Sequence, residues 1–159
     1  MPIELVPFQQ AEFDTYFESL LVHYTADKIA AGNISPENAA EAIRKEIETL
    51  LPQGFQTPYH TYYHICDQAS GDKVGILWVF FDPSERRKMA FIYDLEIDEA
   101  YRRQGYASQA MLAVEGVLRA QGAQKIGLHV FGFNTGAQAL YRKLGYQVTN
   151  VQMAKQILG

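Results

Sequence analysis

Eight consecutive residues, Tyr101-Arg102-Arg103-Gln104-Gly105-Tyr106-Ala107-Ser108, concentrate the chemistry of this chain. They stand between a strand-like run that ends at Ile97 and an amphipathic run that starts near Gln109. A turn of this kind leaves backbone N–H groups without partners at a helix start, sets two arginines beside them, and uses Gly105 where a side chain would block a ligand. Such a turn suits a polyphosphate. Just upstream, Asp94 and Glu96 are two residues apart and so share one side of a regular strand, where either could accept a proton. A bulge in the strand would change which of them points inward. An ordinary solvated or salt-bridged strand face would look the same in sequence. Farther on, the phenol of Tyr141 can donate a hydrogen bond to a departing anion; the plain alternative is a packed aromatic beside Leu140 and Leu144.

The elements that must position these groups are legible from periodicity. Phe91-Ile92-Tyr93-Asp94-Leu95-Glu96-Ile97 is rich in aromatic and branched residues and reads as a strand that runs into the loop. Ala107, Met111, Val114 and Leu118 recur three or four apart and stop at Gly122, as an amphipathic helix does. Lys125 to Phe131 is strand-like again. Asn134 is a favoured N-cap, Ala137 to Leu144 a short helix, and Gly145 its C′ residue.

Arg102-x-x-Gly105-x-Ala107 resembles the acyl-CoA pyrophosphate loop of the GNAT superfamily of N-acetyltransferases, written Arg/Gln-x-x-Gly-x-Gly/Ala. The segment from Asn134 to Tyr146 resembles a second signature of that family, Asn-x-x-Ala-x-x-Leu-Tyr-x-x-x-Gly-Tyr/Phe, with Ala137 in its alanine slot and Tyr141 as its tyrosine. Two ordered motifs at the proper separation are far more specific than one. The resemblance is close over residues 73–157 and holds only in outline over the first 60. It implies a small, single-domain, bacterial-type member with the acyl-CoA N-acyltransferase fold: an α/β (α+β) arrangement in which a mixed, mostly antiparallel, twisted sheet of about six to seven strands carries helices on both faces.

By the same resemblance, the strand before the loop splays from the one after it and opens a slot for the pantetheine arm of acetyl-CoA. Backbone groups of Leu95, Glu96 and Ile97 would pair with that arm as an added strand does. Arg102, Arg103, Gln104, Gly105, Tyr106, Ala107 and Ser108 would surround the pyrophosphate, with either arginine free to take the phosphate. Asn134 and Ala137 would approach the pantetheine, Asn134 also serving as a cap. The implied reaction is direct attack of a primary amine on the acetyl thioester, driven chiefly by holding both reactants at near-attack distance, with a backbone N–H near Ile97 meeting the oxyanion. Glu96 is the first choice for the base because it is nearer the expected thioester, and Tyr141 is the expected acid. A proton relay from Glu96 to His129, across the slot, is the lesser reading of a lone strand histidine. The reading from another class is a protein that binds acetyl-CoA as a sensor or structural subunit without turning it over.

Composition fits a single domain over residues 1–159: 48% of residues are hydrophobic, within the ordinary globular range. A formal charge of −4 argues against a nucleic-acid partner and suits a cationic amine. Cys66 is single and reads as a small hydrophobe. No signal-like or membrane-crossing run stands out, which points to the cytoplasm and to no membrane partner. His60 and His64 on a strand lie roughly 13 Å apart, too far to share a metal ion, so no metal site is expected. Neither a Walker loop nor a dinucleotide fingerprint is present. A homodimer is left open.

The first third reads as a strand over Ile3 to Pro7, a helix with Phe13, Phe17, Leu20, Leu21 and Tyr24 on one face, and a second helix capped by Ser35-Pro36 that carries Ile43, Ile47 and Leu50 until Pro52. Tyr59 to Cys66 and Lys73 to Asp82 form the next strands, and a last strand follows Gly145. Acceptor choice belongs to the first two helices, the Gly32 to Ser35 connection, and the aromatic residues Tyr59, Tyr62, Tyr63 and Trp78, which would line an amine pocket. The acceptor itself is left undefined by the sequence; a small amine is favoured because no docking surface for a large one is visible.

Overall fold

The computed structural model describes residues 2–158. Five strands make one sheet in the order of the chain: β1 (Ile3–Pro7), β2 (His60–Asp67), β3 (Lys73–Phe80), β4 (Met89–Ile97) and β5 (Lys125–Leu128). The first four pair antiparallel, as short turns between neighbours require, whereas β5 pairs parallel to β4 after a crossover through a helix. The described residues also form four α-helices: α1 (Gln10–Ala30), α2 (Ala39–Leu50), α3 (Tyr106–Ala120) and α4 (Thr135–Lys143).

Two apolar layers hold the sheet. On one face Phe13 and Leu21 of α1 and Ile43 and Ile47 of α2 pack on Tyr62 and Trp78. On the other, Ala110, Met111, Val114 and Leu118 of α3 cover Ile65, Val74, Leu77, Val79, Ala90 and Ile92. Alternation along β3 explains the split, since Leu77 and Val79 point one way and Trp78 the other.

The family-type mixed sheet with helices on both faces is as expected, but it has five strands, not six or seven. The strand expected after Gly145 does not form among the described residues, because residues 147–158 make no ladder with β5. Ser35-Pro36 does not cap α2 either. The helix starts at Ala39, after Asn38 adopts a left-handed conformation (φ 59°), and the Pro36 carbonyl accepts from the Ala39 N–H in the turn before it. His129 lies beyond the end of β5, exposed, with its ring against Phe131.

Candidate active site

Strand β4 builds the site because it is not regular. Its register with β3 runs Trp78 to Asp94 and then Val79 to Ile92, so Tyr93 is an extra residue, a β-bulge. The consequence is a change of face. Ile92 lies in the layer under α3, yet Asp94, two residues later, reaches the α1 side; a regular strand would have kept both on one face. Glu96, opposite Ile76, follows Asp94 to the α1 side. The bulge precedes both carboxylates and therefore moves them together.

Their environments differ. The Tyr16 hydroxyl of α1 donates to Asp94 Oδ2 at 2.6 Å in a partly buried setting. Burial raises the Asp94 carboxyl to about 6, helped by the negative charge of Glu96 and opposed by the Tyr16 hydrogen bond and by His23. Glu96 has no side-chain hydrogen bond among the described residues and lines a cleft of about 570 Å³ between α1 and the sheet. Phe8, Tyr16, His23, His64, Ile76 and Asp98 also face that cleft. At its far wall Glu12 gathers a small network: His64 Nε2 lies 2.5 Å and Lys73 Nζ 3.1 Å from Glu12 Oε2. The Gln9 N–H donates to Oε1 at 2.8 Å, and this bond, followed by Lys73, lowers Glu12 to about 2.

The pairing of β4 with β5 ends at Ile92 and Leu128, so from Tyr93 to Ile97 the edge of β4 that faces β5 has no strand partner. This is the splay expected from sequence, and Leu95, Glu96 and Ile97 lie along it. Gly75 lets the strand lie where it does: a Cβ on Gly75 would run into the Glu96 carbonyl oxygen and sit 3.1 Å from Ile97 Cα. The Ile97 carbonyl is taken by Arg102 Nε at 2.9 Å, so the Arg102 side chain folds back along its own loop. Arg103 is exposed with a left-handed backbone (φ 63°), Gln104 is exposed, and Gly105 (φ 85°) is the residue before α3. A Cβ on Gly105 would meet only the Gln109 amide, at 3.9 Å, which leaves open space over the helix start. Tyr106, Ala107 and Ser108 make the first turn of α3, where the N–H groups of Ala107 and Ser108 precede the helix's own hydrogen-bond ladder. The Tyr106 side chain points inward, and its hydroxyl donates to Asp67 Oδ2 at 2.6 Å, which ties the helix start to the β2–β3 turn.

Helix α4 packs on the same face of the sheet as α3. Asn134 Oδ1 accepts from the Ala137 N–H at 3.2 Å, a working N-cap, and the Gln138 amide holds the Phe131 and Gly132 carbonyls at 3.1 Å each. Ala137 is half-buried in the first turn. Tyr141 is half-buried against the α3 layer, edge-on to Tyr146 at 5.7 Å, and its hydroxyl has no hydrogen-bond partner among the described residues. Burial, and then the Asp94 charge, push its phenol up to about 12. The carboxylate thus lies on the α1 face and the phenol on the α3 face, close enough for the Asp94 charge to act on Tyr141.

Other residues singled out by sequence lie elsewhere. Tyr62 and Trp78 are core, and Tyr59 and Tyr63 border a separate hollow of about 240 Å³ toward α3. His60 accepts from the Trp78 indole at 2.9 Å, away from His64 and its bond to Glu12. No hydrogen bond joins His129 to Glu96 among the described residues; His129 is exposed, with its ring against Phe131. Cys66 is half-buried and its thiol is raised by burial. Sequence reasoning missed Tyr16, His23 and the Glu12–His64–Lys73 network, whose partners are 52 to 78 residues apart in the chain. The one available signal was a polar tip, Tyr16, beside the apolar stripe of α1. No helix among the described residues is long and apolar enough to cross a membrane.

Comparison with known proteins agrees with this geometry. The model of the acetyltransferase (GNAT) family matches residues 17–146. YycN of Bacillus subtilis (strain 168), an uncharacterized N-acetyltransferase, is 38% identical over 157 residues, which span 99% of this chain and all of YycN. Its crystal structure superposes with a TM-score of 0.93 over 99% of each chain. YdgE of the same organism, also an uncharacterized N-acetyltransferase, is 31% identical over 99% of both chains. A bulged strand splayed from its neighbour, a glycine turn opening a helix, and this family match lead to one conclusion: the chain belongs to the GNAT acetyltransferase family and is an N-acetyltransferase.

Proposed function

We propose that the protein transfers an acetyl group from acetyl-CoA to the primary amine of a small molecule, at the splay between β4 and β5. The observation that carries this reading is a partly buried carboxyl, Asp94, raised to about 6, whose charge acts on a half-buried phenol, Tyr141, that has no hydrogen-bond partner among the described residues. Acetyl-CoA supplies an acetyl group already activated as a thioester. The backbone of the turn from Gln104 to Ser108 and the arginines Arg102 and Arg103 take the pyrophosphate, while Leu95, Glu96 and Ile97 line the pantetheine arm. The Ile97 carbonyl is occupied by Arg102, which leaves that pairing to the other backbone groups of the strand. Asn134 and Ala137 border the arm from α4.

The base is better placed at Asp94 than at Glu96. A group that titrates near 6 is ionised at neutral pH and still holds a proton well enough to accept one from an ammonium on its way to attack. Tyr16 fixes the Asp94 carboxylate, so its free oxygen has one orientation. Glu96, on the cleft wall, holds the incoming ammonium. Tyr141 donates a hydrogen bond to the leaving sulfur. With Glu12, Glu96 and Asp98 set against Lys73, the cleft has a net negative charge when its histidines are neutral, and its volume is that of a small-molecule site. Both properties favour a compact cationic amine.

Amine-dependent release of CoA thiol is the test, measured for the native enzyme and Tyr141→Phe. The reading requires turnover with at least one small amine, and a fall of tenfold or more in the variant with unchanged affinity for acetyl-CoA. Equal turnover in the two proteins would return Tyr141 to the core.

A further inference from the structure

Beyond the end of β5 the chain makes a clamped turn that displays aromatic rings. The Phe131 carbonyl accepts from the Asn134 N–H at 3.0 Å and from the Gln138 amide at 3.1 Å, and the same amide holds the Gly132 carbonyl. The Phe131 and Phe133 rings stack with centroids 5.4 Å apart and planes 6° from parallel, and His129 stands edge-on to Phe131 at 4.9 Å. These rings stay out of the core. His129 is exposed, Phe131 is half-buried and Phe133 is 52% exposed. Contiguous apolar surface held rigid and facing outward has the character of a binding wall rather than of core packing.

The turn lies beside the proposed base. Strands β4 and β5 run parallel and their pairing stops at Ile92 and Leu128, so Asp94 and Phe131 follow shortly beyond one shared point, roughly 7 and 10 Å along their chains. Phe131 turns toward α1, where the Tyr24 ring meets it at 6.4 Å. Tyr24 adjoins His23, which lines the cleft and whose charge acts on Asp94. The aromatic wall therefore continues the cleft past its His23 end. Its charges are already balanced. Lys28 stands over the Tyr24 ring at 5.5 Å, and burial, then the Glu46 carboxylate of α2, raise the Tyr24 phenol, so cation and anion both attend that ring. No uncompensated charge is left there to draw a second ammonium, and the group that fits Phe131 and Phe133 is flat and apolar.

We infer that the acceptor is an arylalkyl amine, whose aromatic ring stacks on Phe131 and Phe133 while a short alkyl linker carries its primary amine to Asp94. The inference rests on the proposed acetyl transfer and narrows its acceptor. In that transfer the ammonium gives one proton to Asp94, the free amine forms the N–C bond as the thioester C–S bond breaks, and the second proton leaves with the departing thiolate as CoA thiol. The ring takes no part in these steps. It fixes the acceptor at one end, so that linker length sets where the nitrogen stands. Asn134, which closes the turn, also caps α4, and the rings are thereby held in one frame with the helix that carries Tyr141.

Two readouts test this, one of them independent of turnover. Saturation-transfer NMR from the full chain with CoA to 2-phenylethylamine is expected to saturate the ring protons more strongly than the linker protons, and the effect should fall about fivefold or more in Phe133→Ala. In the thiol-release assay, kcat/KM for 2-phenylethylamine should exceed that for 2-cyclohexylethylamine, its bulky non-aromatic counterpart, by about fivefold or more. Phe131→Leu stays apolar but loses the aromatic face, and should bring that ratio close to one; damage to the fold would lower both amines together and leave the ratio standing. Ring protons that take up no saturation, saturation unaltered in Phe133→Ala, or a ratio near one in the native enzyme would each overturn the inference. Ring contact that is lost in Phe133→Ala, with no thiol release from any amine, would overturn acetyl transfer while the ring site stands.

Discussion

Replacing Asp94 with asparagine should make the protein more stable and less active, and the size of the first effect follows from the structure. Burial raises the Asp94 carboxyl from the usual 3.8 to about 6. The folded state therefore holds this proton more tightly than the unfolded state does. The sign follows: stability from this group is greatest below the unfolded value near 4 and is lost as pH rises through about 6. A displacement of roughly two units is worth about 3 kcal/mol, so at pH 8 the native protein carries that much strain at one residue. Asparagine keeps an acceptor for the Tyr16 hydroxyl and cannot ionise. Allowing for an amide N–H₂ that the site does not fully satisfy, the gain at pH 8 should be about 1–3 kcal/mol, or roughly 3–10 °C in melting temperature for a domain of this size. At pH 4.5 the gain should be smaller by about 2 kcal/mol, because Asp94 is then protonated in the folded state while the unfolded carboxyl, with its value of 3.8, is still mostly ionised. Urea unfolding of both proteins at pH 4.5 and pH 8 reads this directly, and the difference between the two cancels every other titrating group. Turnover should fall by about a hundredfold or more, the usual share of a positioned base. A variant no more stable at pH 8 than at pH 4.5, relative to the native protein, would refute the strained-carboxylate argument. Full activity would remove Asp94 as the base.

Tyr16→Phe removes the hydrogen bond that opposes the effect of burial on Asp94. A hydrogen bond to a charged acceptor is worth about 1.5–3 kcal/mol, so the acidic limb of the kcat/KM profile should move upward by about 1–2 pH units from near 6. Activity should return at alkaline pH, and an unmoved limb would detach Tyr16 from the chemistry. Gly105→Val places a branched side chain at φ 85° and in the space over the α3 start, and calorimetric titration should show acetyl-CoA affinity reduced at least tenfold; unchanged affinity would contradict the loop assignment. Gly75→Val would push β4 away through the Glu96 carbonyl, and turnover should drop even where a melting curve shows the protein still folded.

The elements that position the cofactor side were legible because their determinants are local. Gly105 before a helix, Asn134 capping another, and the alternation of Phe91 to Ile97 each act within a few residues, and each folds as expected. The mostly antiparallel sheet followed from short connections between β2, β3 and β4. The carboxylates show where local reasoning stops. Spacing correctly put Asp94 and Glu96 on one side, but which side depends on the extra residue Tyr93, which the regular alternation conceals. Glu96 is the first choice as base on its nearness to the thioester that the family resemblance implies; the Tyr16 bond and the burial on which we propose Asp94 come from a helix whose Tyr16 is 78 residues away, which no local pattern shows. The same limit explains the strand expected after Gly145: residues 147–158 have the composition of a strand, and composition cannot say whether a partner edge is available. Ser35-Pro36 carried the usual helix-start pair, and the chain instead turns once more and starts α2 after Asn38, where Ala39, Ile43 and Ile47 can reach the core together.

The measurement that bears most directly on the central claim is CoA thiol release from acetyl-CoA, followed with a panel of small primary amines for the native enzyme and Asp94→Asn in parallel at pH 8. The account predicts release that depends on the amine, saturates with at least one compact cationic amine, and falls by about a hundredfold in the variant. Release that ignores the amine, or that proceeds equally in the two proteins, would contradict it.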